Sequence, residues 1–186
     1  MERETLLTAI QSTLTKTKVD QLTLIAAESN FSVKTLIDLT FDPDEKTAFR
    51  AAWILENIYI GHMDRFLPHA TYFLTRFSAQ QNFSCCRHYS KILALMTAKK
   101  APPVIKRLIA DYETSELVET VFSWLIEEQV PVAIKSHCLN ILANLNHKHD
   151  WIREELLQTM DYLVDKESIA FYGKVKKIRK QLSSTK

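Results

Sequence analysis

The sequence predicts an all-α protein built from stacked helical hairpins, and three observations support this prediction. First, apolar residues recur three and four positions apart in almost every window, which is the period of an amphipathic helix, and no window shows the sustained alternation of a strand. Second, the stretch Asp42-Pro43-Asp44-Glu45, followed by Phe49-Arg50-Ala51-Ala52-Trp53-Ile54-Leu55, has the pattern of a helix start joined to a buried helix face. Third, an Ile-Leu pair recurs at 54–55, 92–93 and 141–142, each time inside a predicted helix.

The composition is that of a globular protein rather than a disordered or membrane-embedded one. Hydrophobic residues make up 46% and charged residues 25%, and both values are close to globular averages. No apolar run approaches the roughly 18 residues that cross a bilayer, and residues 1–5 lack the pattern of a signal peptide. The three cysteines include no Cys-x-x-Cys pair, so neither a disulfide nor a zinc site is expected. We therefore expect a cytoplasmic protein.

The expected helices follow one another along the whole chain. They lie near 3–14, 18–28, 32–40, 43–60, 63–78, 83–98, 103–111, 115–129, 131–146, 150–164 and 167–182. The clearest start is at Asp42, which suits an N-cap, with Pro43 at the first helical position and Glu45 at the capping-box position. Gly61 is expected to end the same helix in the left-handed conformation.

Three of these helices are expected to be equivalent members of an internal repeat. The residues eleven positions before the leucine of each Ile-Leu pair are Asp44, Asn82 and Pro131, all of which favour a helix start. The pairs are 38 and 49 residues apart, and the longer interval contains residues 99–103 and a short extra helix. A period near 40 residues with two helices per unit is typical of an α-solenoid.

Two stretches carry a resemblance to a known family. Asp42-Pro43-Asp44, followed by Arg50, Ala51, Ala52 and Leu55, resembles the second helix of HEAT repeats, and Phe66-Leu67-Pro68, followed by Tyr72, Phe73 and Leu74, resembles their first helix with its proline. The later units keep Arg87 or Lys135 but lose the Asp-Pro-Asp sequence and the paired alanines. The resemblance covers residues 30–183 in architecture and 41–75 in motif.

This resemblance implies a right-handed α-solenoid of the HEAT/armadillo type, with about four to five helical hairpins. The whole chain, 1–186, would form a single solenoid domain. Within it, residues 1–28 would be N-terminal capping helices, residues 30–165 the hairpins, and residues 166–183 a basic C-terminal capping helix.

The glycine content excludes several classes of enzyme. A phosphate-binding loop and the nucleophile elbow of hydrolases each need at least two glycines close together, whereas Gly61 and Gly173 are far apart. No other catalytic motif is found. We therefore expect no enzymatic activity, no catalytic residue and no cofactor.

Two small clusters are candidates for chemistry, and a structural interpretation is favoured for both. His147-Lys148-His149-Asp150, with His137 and Cys138 one helix away, offers metal-ligating atoms, but its spacing is narrower than that of most zinc sites. A polar loop between two helices is the favoured interpretation. Cys85-Cys86-Arg87-His88 places thiols beside a cation, which lowers a thiol pKa, but the helical pattern puts both cysteines on the core side.

The C-terminal helix carries the strongest charge asymmetry of the chain. Residues 166–186 contain seven Lys and Arg residues and one Glu, a net charge of +6, which leaves −4 for the rest. The candidate contacts for an anionic ligand are Lys174, Lys176, Lys177, Arg179 and Lys180. A polar outer face that caps the stack is favoured over a contact with nucleic acid or an acidic partner, and that contact is favoured over a membrane surface.

The predicted function is that of a non-enzymatic interaction module, such as an adaptor, a scaffold or a regulator. The resemblance implies a concave face that is lined by second helices and binds a protein or peptide partner. The expected lining residues are Arg50, Glu56, Asn57, His88, Lys91, Lys135, Asn140 and Asn144. The alternative is a nucleic-acid-binding protein that uses the basic C-terminal helix. A HEAT-like DNA glycosylase fits less well, since the net charge is only +2.

Overall fold

A computed structural model describes residues 2–11 and 32–184 of the protein. The described residues form α-helices and one short 3-10 helix and contain no strand, so the prediction of an all-α protein is confirmed. None of the helices within these ranges has the length and apolar character that a membrane crossing requires. The expected helix 18–28 and the last part of the expected helix 3–14 lie outside the described residues, and the N-terminal cap stays a prediction.

The chain divides into two compact units, Met1–Ile92 and Leu93–Lys186. The single solenoid domain stays a prediction. The helices of the first unit are α1 (Glu2–Gln11), α2 (Val33–Leu39), α3 (Glu45–Gly61), α4 (Met63–Phe66), a 3-10 turn (Leu67–His69), α5 (Ala70–Phe77) and most of α6 (Phe83–Met96). The helices of the second unit are α7 (Pro103–Asp111), α8 (Ser115–Ile126), α9 (Val132–Leu145), α10 (Ile152–Val164) and α11 (Ile169–Ser183).

The core of the first unit combines the buried side of α3 with an aromatic cluster. Helix α3 packs against α1 and α2. Phe73 is fully buried at the centre of the cluster, and its ring centroid lies 5.5 Å from that of Phe66, 6.2 Å from that of Phe77 and 4.8 Å from that of Tyr89. The hydroxyl of Tyr89 lies 2.7 Å from Oγ1 of Thr40, so this polar atom is buried with a hydrogen-bond partner.

The second unit is built around α9, which packs against α8, α10 and α11. A helix that is apolar around most of its circumference needs neighbours on several sides, and α9 has them. Helix α11 contributes one apolar stripe to this core: Phe171, Val175, Ile178 and Leu182 are all at most 1% exposed. Its remaining residues include most of the lysines of the C-terminal segment.

The three helix starts expected to be equivalent are confirmed. Asp44 and Pro131 are the N-cap residues of α3 and α9. Asn82 directly precedes α6, and its Oδ1 accepts a hydrogen bond from the backbone N–H of Ser84 at 2.9 Å. The Ile-Leu pairs at 54–55, 92–93 and 141–142 are fully buried. The internal repeat therefore consists of three helix starts, each followed by a buried Ile-Leu pair.

The helix α3 ends at Gly61 as expected, but the expected N-cap and the expected left-handed conformation of Gly61 are wrong. Asp44, not Asp42, is the N-cap, because its carboxylate accepts a hydrogen bond from the backbone N–H of Thr47 at 2.9 Å. Asp42 instead accepts from the backbone N–H of Asp44 at 3.0 Å and forms a turn before the helix. Gly61 is the last helical residue and is not left-handed. The C-cap is the next residue, His62, whose φ is −139°.

The expected helix 63–78 is interrupted by the 3-10 turn Leu67–His69. Pro68 lies within this turn. Because proline has no backbone N–H, it cannot make the hydrogen bond of a continuous α-helix at this position. The segment therefore folds as two short α-helices, α4 and α5, joined by the turn.

Candidate protein-interaction surface

A buried carboxylate, Glu56, joins α3 to α6 in the first unit. Its Oε2 lies 2.7 Å from Nδ1 of His88, and its Oε1 lies 2.5 Å from Nζ of Lys91. Glu56 and His88 are each 8% exposed, whereas the side chain of Lys91 is 40% exposed. Burial by itself raises the pKa of Glu56, but the hydrogen bonds from His88 and Lys91 outweigh it, so this pKa lies below its ordinary value. Glu56 is therefore ionised and holds both partners in place.

Two aromatic side chains of α3 lie beside this carboxylate. Phe49 and Trp53 are half-buried, and their ring centroids are 6.1 Å apart. The ring of Phe49 is also 5.4 Å from the ring of His88. Ile60, two turns further along α3, is 57% exposed. Residues three and four apart share one side of a helix, so Phe49, Trp53 and Ile60 lie on the same side of α3 as Glu56.

These side chains form one connected surface of the first unit, which we name the α3–α6 surface. It consists of Phe49, Trp53, Glu56, Asn57, Ile60, His88 and Lys91. Asn57 donates a hydrogen bond from Nδ2 to the backbone carbonyl of Trp53 at 2.9 Å, which fixes the orientation of its amide. The surface thus combines apolar and aromatic groups with a lysine whose position is set by a buried carboxylate.

Four residues of this surface, namely Glu56, Asn57, His88 and Lys91, are among the lining residues expected from the sequence, whereas its aromatic residues Phe49 and Trp53 are not. The direction of each side chain around the helix would have identified them. Phe49 and Trp53 point away from the fully buried Ala51 and Leu55.

Arg50 points towards the N-terminal helix rather than into the α3–α6 surface. Its Nη1 donates a hydrogen bond to the backbone carbonyl of Ile10 at 2.9 Å. Arg50 therefore ties α1 to α3, and its contact with a partner stays a prediction.

Lys135, another expected lining residue, is buried in the second unit. It is 1% exposed, and its Nζ lies 2.5 Å from Oε1 of Glu167. A contact of Lys135 with a partner would require this ion pair to open. The ion pair links α9 to the start of α11, and the contact of Lys135 with a partner stays a prediction.

Asn144 of α9 lines a cavity within the second unit. Its Nδ2 donates to Oγ1 of Thr97 at 3.3 Å, and its Oδ1 accepts from Nε2 of Gln181 at 3.0 Å. The amide of Asn144 therefore links the segment after α6 to α11. The contact of Asn144 with a partner stays a prediction.

Two of the five cations expected to meet an anionic ligand are engaged inside the second unit. Lys174 donates to Oδ1 of Asn140, and Arg179 pairs with Asp161. Partial burial and, secondly, repulsion by Lys177 lower the pKa of Lys174. The hydrogen bond with Lys174 also gives Asn140, an expected lining residue, a role within the unit.

The other three cations, Lys176, Lys177 and Lys180, are exposed. Nζ of Lys176 lies 4.5 Å from the ring centroid of Tyr172, which is a cation–π contact. Three phosphate contacts would give a salt slope of only about −3. The arrangement suits a solvated outer face of the helix at least as well as an anion site.

The three cysteines are buried and form no disulfide, as the core-side pattern of Cys85 and Cys86 predicts. Burial raises the pKa of the thiols of Cys85 and Cys86 to about 12. Because the thiolate is the nucleophile, a thiol with so high a pKa is inert at neutral pH. The structure therefore gives these side chains a packing role.

The segment 147–149 binds to helix ends. His147 lies within hydrogen-bond distance of the carbonyl of Asn144, at 2.9 Å, and His149 within that of the hydroxyl of Thr114, at 2.8 Å. Lys148 donates to three carbonyl oxygens at the end of α7, those of Ile109, Ala110 and Tyr112, at 2.8, 2.9 and 2.8 Å. Residues 2–11 and 32–184 contain no group of three metal-ligating side chains close enough to share an ion.

The family of the protein follows from comparison with known proteins. A family model described as a HEAT repeat domain matches residues 6–182. The chain belongs to the HEAT repeat family. This confirms the resemblance that Asp42-Pro43-Asp44 and the following helix suggest, with no subfamily identified. No curated protein and no solved structure gives a significant match. HEAT repeats generally mediate protein interactions and are typically non-catalytic.

Acid is expected to destabilise this HEAT repeat protein partly through Glu56. The folded-state pKa of Glu56 lies below the ordinary value of 4.5, so its ionised form favours the folded state. This stabilisation is fully present above the ordinary value and is lost as the pH falls through the lower folded-state pKa.

Urea unfolding of the wild type should therefore show a larger loss of stability between about pH 5 and about pH 3 than unfolding of Glu56→Gln. Other carboxylates with lowered pKa values, such as Asp44, are common to both proteins and cancel in the comparison. Identical pH slopes for the two proteins would contradict the assignment.

Proposed function

We propose that this HEAT repeat protein is a non-enzymatic interaction module that binds a protein or peptide partner through the α3–α6 surface. The observation that carries the proposal is the carboxylate of Glu56, which binds Lys91 on the side of α3 that also carries the half-buried rings of Phe49 and Trp53. A fixed lysine beside aromatic side chains supports recognition of a partner with both apolar and acidic groups.

Trp53 is expected to supply most of the binding energy of this surface. Tryptophan is enriched among the few residues that supply most of the binding energy of an interface, because it buries a large area and loses little side-chain entropy. Phe49 and Ile60 extend the apolar area on the same side of α3. A partner helix with apolar residues three and four apart would match this spacing.

Lys91, the charged and accessible residue of the surface, is expected to orient the partner. The side chain of Lys91 is held at Glu56 but is 40% exposed, so its ammonium can also donate to an acidic group of the partner. A preformed lysine position reduces the entropy that is lost on binding. Glu56 and His88 are buried and act by positioning Lys91 and Phe49 rather than by contacting the partner.

The test is capture of a partner from a nuclease-treated native extract at low salt, quantified by mass spectrometry. Trp53→Ala combined with Lys91→Glu should lower the recovery of a stoichiometric partner by about tenfold or more, because a central aromatic residue and a charge are lost together. Lys100→Glu, an equal charge change at an exposed lysine outside the surface, should leave recovery unchanged. Circular dichroism checks that each variant is folded.

Equal recovery of the partner by the wild type and by the Trp53→Ala/Lys91→Glu variant would overturn the proposal. Arg50 is not part of the variant, because its loss would also release the carbonyl of Ile10. Nucleic-acid binding through α11 stays a prediction, and so does cytoplasmic location. Nucleic acid that copurifies without nuclease and is removed by moderate salt would support the role of the exposed lysines.

A further inference from the structure

The second unit contains a cavity of about 360 Å³ that shares no residue with the α3–α6 surface. Its walls come from the end of α6 and the residues after it, from α7, from the end of α9 and from Gln181 of α11. The apolar wall includes Met96, Ile109 and Leu145. This volume lies at the lower end of the range for ligand pockets, about 300–1,000 Å³, and it has room for one large apolar side chain.

The charged residues that line the cavity are all cations. They are Lys99, Lys106 and Lys148, and no Asp or Glu belongs to the lining. Lys148 already donates to the carbonyls at the end of α7. Lys99 and Lys106 are exposed, and neither has a salt bridge to a carboxylate within residues 2–11 and 32–184. The mouth of the cavity therefore offers two lysines that an anion could pair with.

The C-terminal ends of three helices at this cavity disfavour an anion, but the positive charge of the lysines is larger. Helices α6, α7 and α9 all end here, and each C-terminus carries a partial charge of about −0.5. Three ends together amount to about −1.5, whereas the three lysines carry +3. Several end carbonyls are also already bonded, since Asn146 donates to Ala143 and Lys148 caps α7. The net field at the cavity favours an anion.

The polar wall of the cavity is held in a fixed arrangement. Gln181 donates to Asn144 at 3.0 Å, and Asn144 donates to Thr97 at 3.3 Å. A chain of oriented amides can hydrogen-bond to a peptide backbone that lies along it. Lys99 follows α6 and Lys106 lies within α7, so the two free ammonium groups stand on different elements and suit two separate carboxylates.

We propose that this cavity is a docking site for an acidic peptide segment of a partner protein. One large apolar side chain of the segment enters the cavity, and carboxylates on either side of it pair with Lys99 and Lys106. Because the cavity and the α3–α6 surface have no residue in common, binding at each of them can be tested independently of the other.

The test is fluorescence anisotropy of the full chain with a fluorescein-labelled peptide of about nine residues, in which a central phenylalanine is flanked by glutamates. Lys99→Glu with Lys106→Glu should weaken binding by about tenfold or more, because two attractions become repulsions. The matched control is Lys100→Glu with Arg107→Glu, which changes the same charge at exposed neighbours outside the lining, and its affinity should stay within about twofold of the wild type.

Two further measurements separate the cavity from general attraction to a basic protein. Ala110→Trp, a substitution at an exposed residue of the cavity lining, should lower the affinity for the peptide, because the larger side chain fills the cavity without a change of charge. A peptide with alanine in place of the phenylalanine should also bind more weakly. Equal loss in the two charge-reversed proteins, undiminished binding of the alanine peptide, or the absence of saturable binding to the wild type would each overturn the proposal. If free 3-phenylpropionate binds as tightly as the peptide, the ligand is a small apolar acid rather than a peptide segment, and the proposal is also overturned.

Discussion

Replacement of Glu167 by alanine is expected to destabilise the second unit by about 3–5 kcal/mol. The carboxylate of Glu167 is the ion-pair partner of Lys135, whose side chain is 1% exposed. Removal of the carboxylate leaves a buried ammonium without its counter-charge, and the cost of such an uncompensated charge exceeds the usual cost of a lost contact. Chemical denaturation followed by circular dichroism measures the change in the free energy of unfolding.

Two variants show whether this cost comes from the unpaired charge. Lys166→Ala changes the exposed neighbour of Glu167 and should alter stability by no more than about 0.5 kcal/mol. Lys135→Met with Glu167→Ala removes both charges and keeps a long apolar side chain in α9, so it should recover most of the loss. A double variant as unstable as Glu167→Ala alone would show that packing, rather than charge, accounts for the effect.

Phe73→Ala is expected to destabilise the first unit by a similar amount, about 3–5 kcal/mol. Phe73 is fully buried and contacts the rings of Phe66, Phe77 and Tyr89 at centroid distances of 5.5, 6.2 and 4.8 Å. Its truncation removes buried apolar area and leaves a cavity among side chains that are themselves packed against helices and cannot close it fully.

The matched control for Phe73→Ala is Phe83→Ala, the same substitution at a residue of α6 that is 38% exposed. This change should cost clearly less, about 1 kcal/mol, because the side chain gives up less contact with the core. Thermal unfolding of both variants measures the difference. Equal destabilisation by the two substitutions would contradict the central position of Phe73 in the aromatic cluster.

Much of the fold could be predicted from the sequence because helix starts and buried faces depend on residues close together in the chain. Asp44, Asn82 and Pro131 begin equivalent helices, and the Ile-Leu pairs that follow are buried. The exact start of α3 was less predictable, because Asp42 and Asp44 both suit an N-cap. Only the hydrogen bond from Thr47 shows which of the two caps the helix.

The candidate site was predictable only in part, because contacts between distant segments decide which residues are accessible. Glu56, Asn57, His88 and Lys91 belong to the surface that the repeat pattern suggests. Lys135 lies four residues after Pro131, the position that Ala48 and Cys86 hold after Asp44 and Asn82, and like them it is buried. Its ion-pair partner is Glu167, 32 residues further along. Lysine is almost always exposed, so its burial depends on a partner that no local pattern reveals.

The cap of α7 makes the end of this helix depend on one ammonium group, that of Lys148. Helices commonly end at a left-handed glycine, which closes them through backbone conformation, whereas α7 ends through three hydrogen bonds from Lys148. Loss of the Lys148 side chain would remove all three of these donors at once. The end of α7 therefore depends on a charged side chain from a distant segment of the chain, whereas a glycine cap depends only on the local backbone.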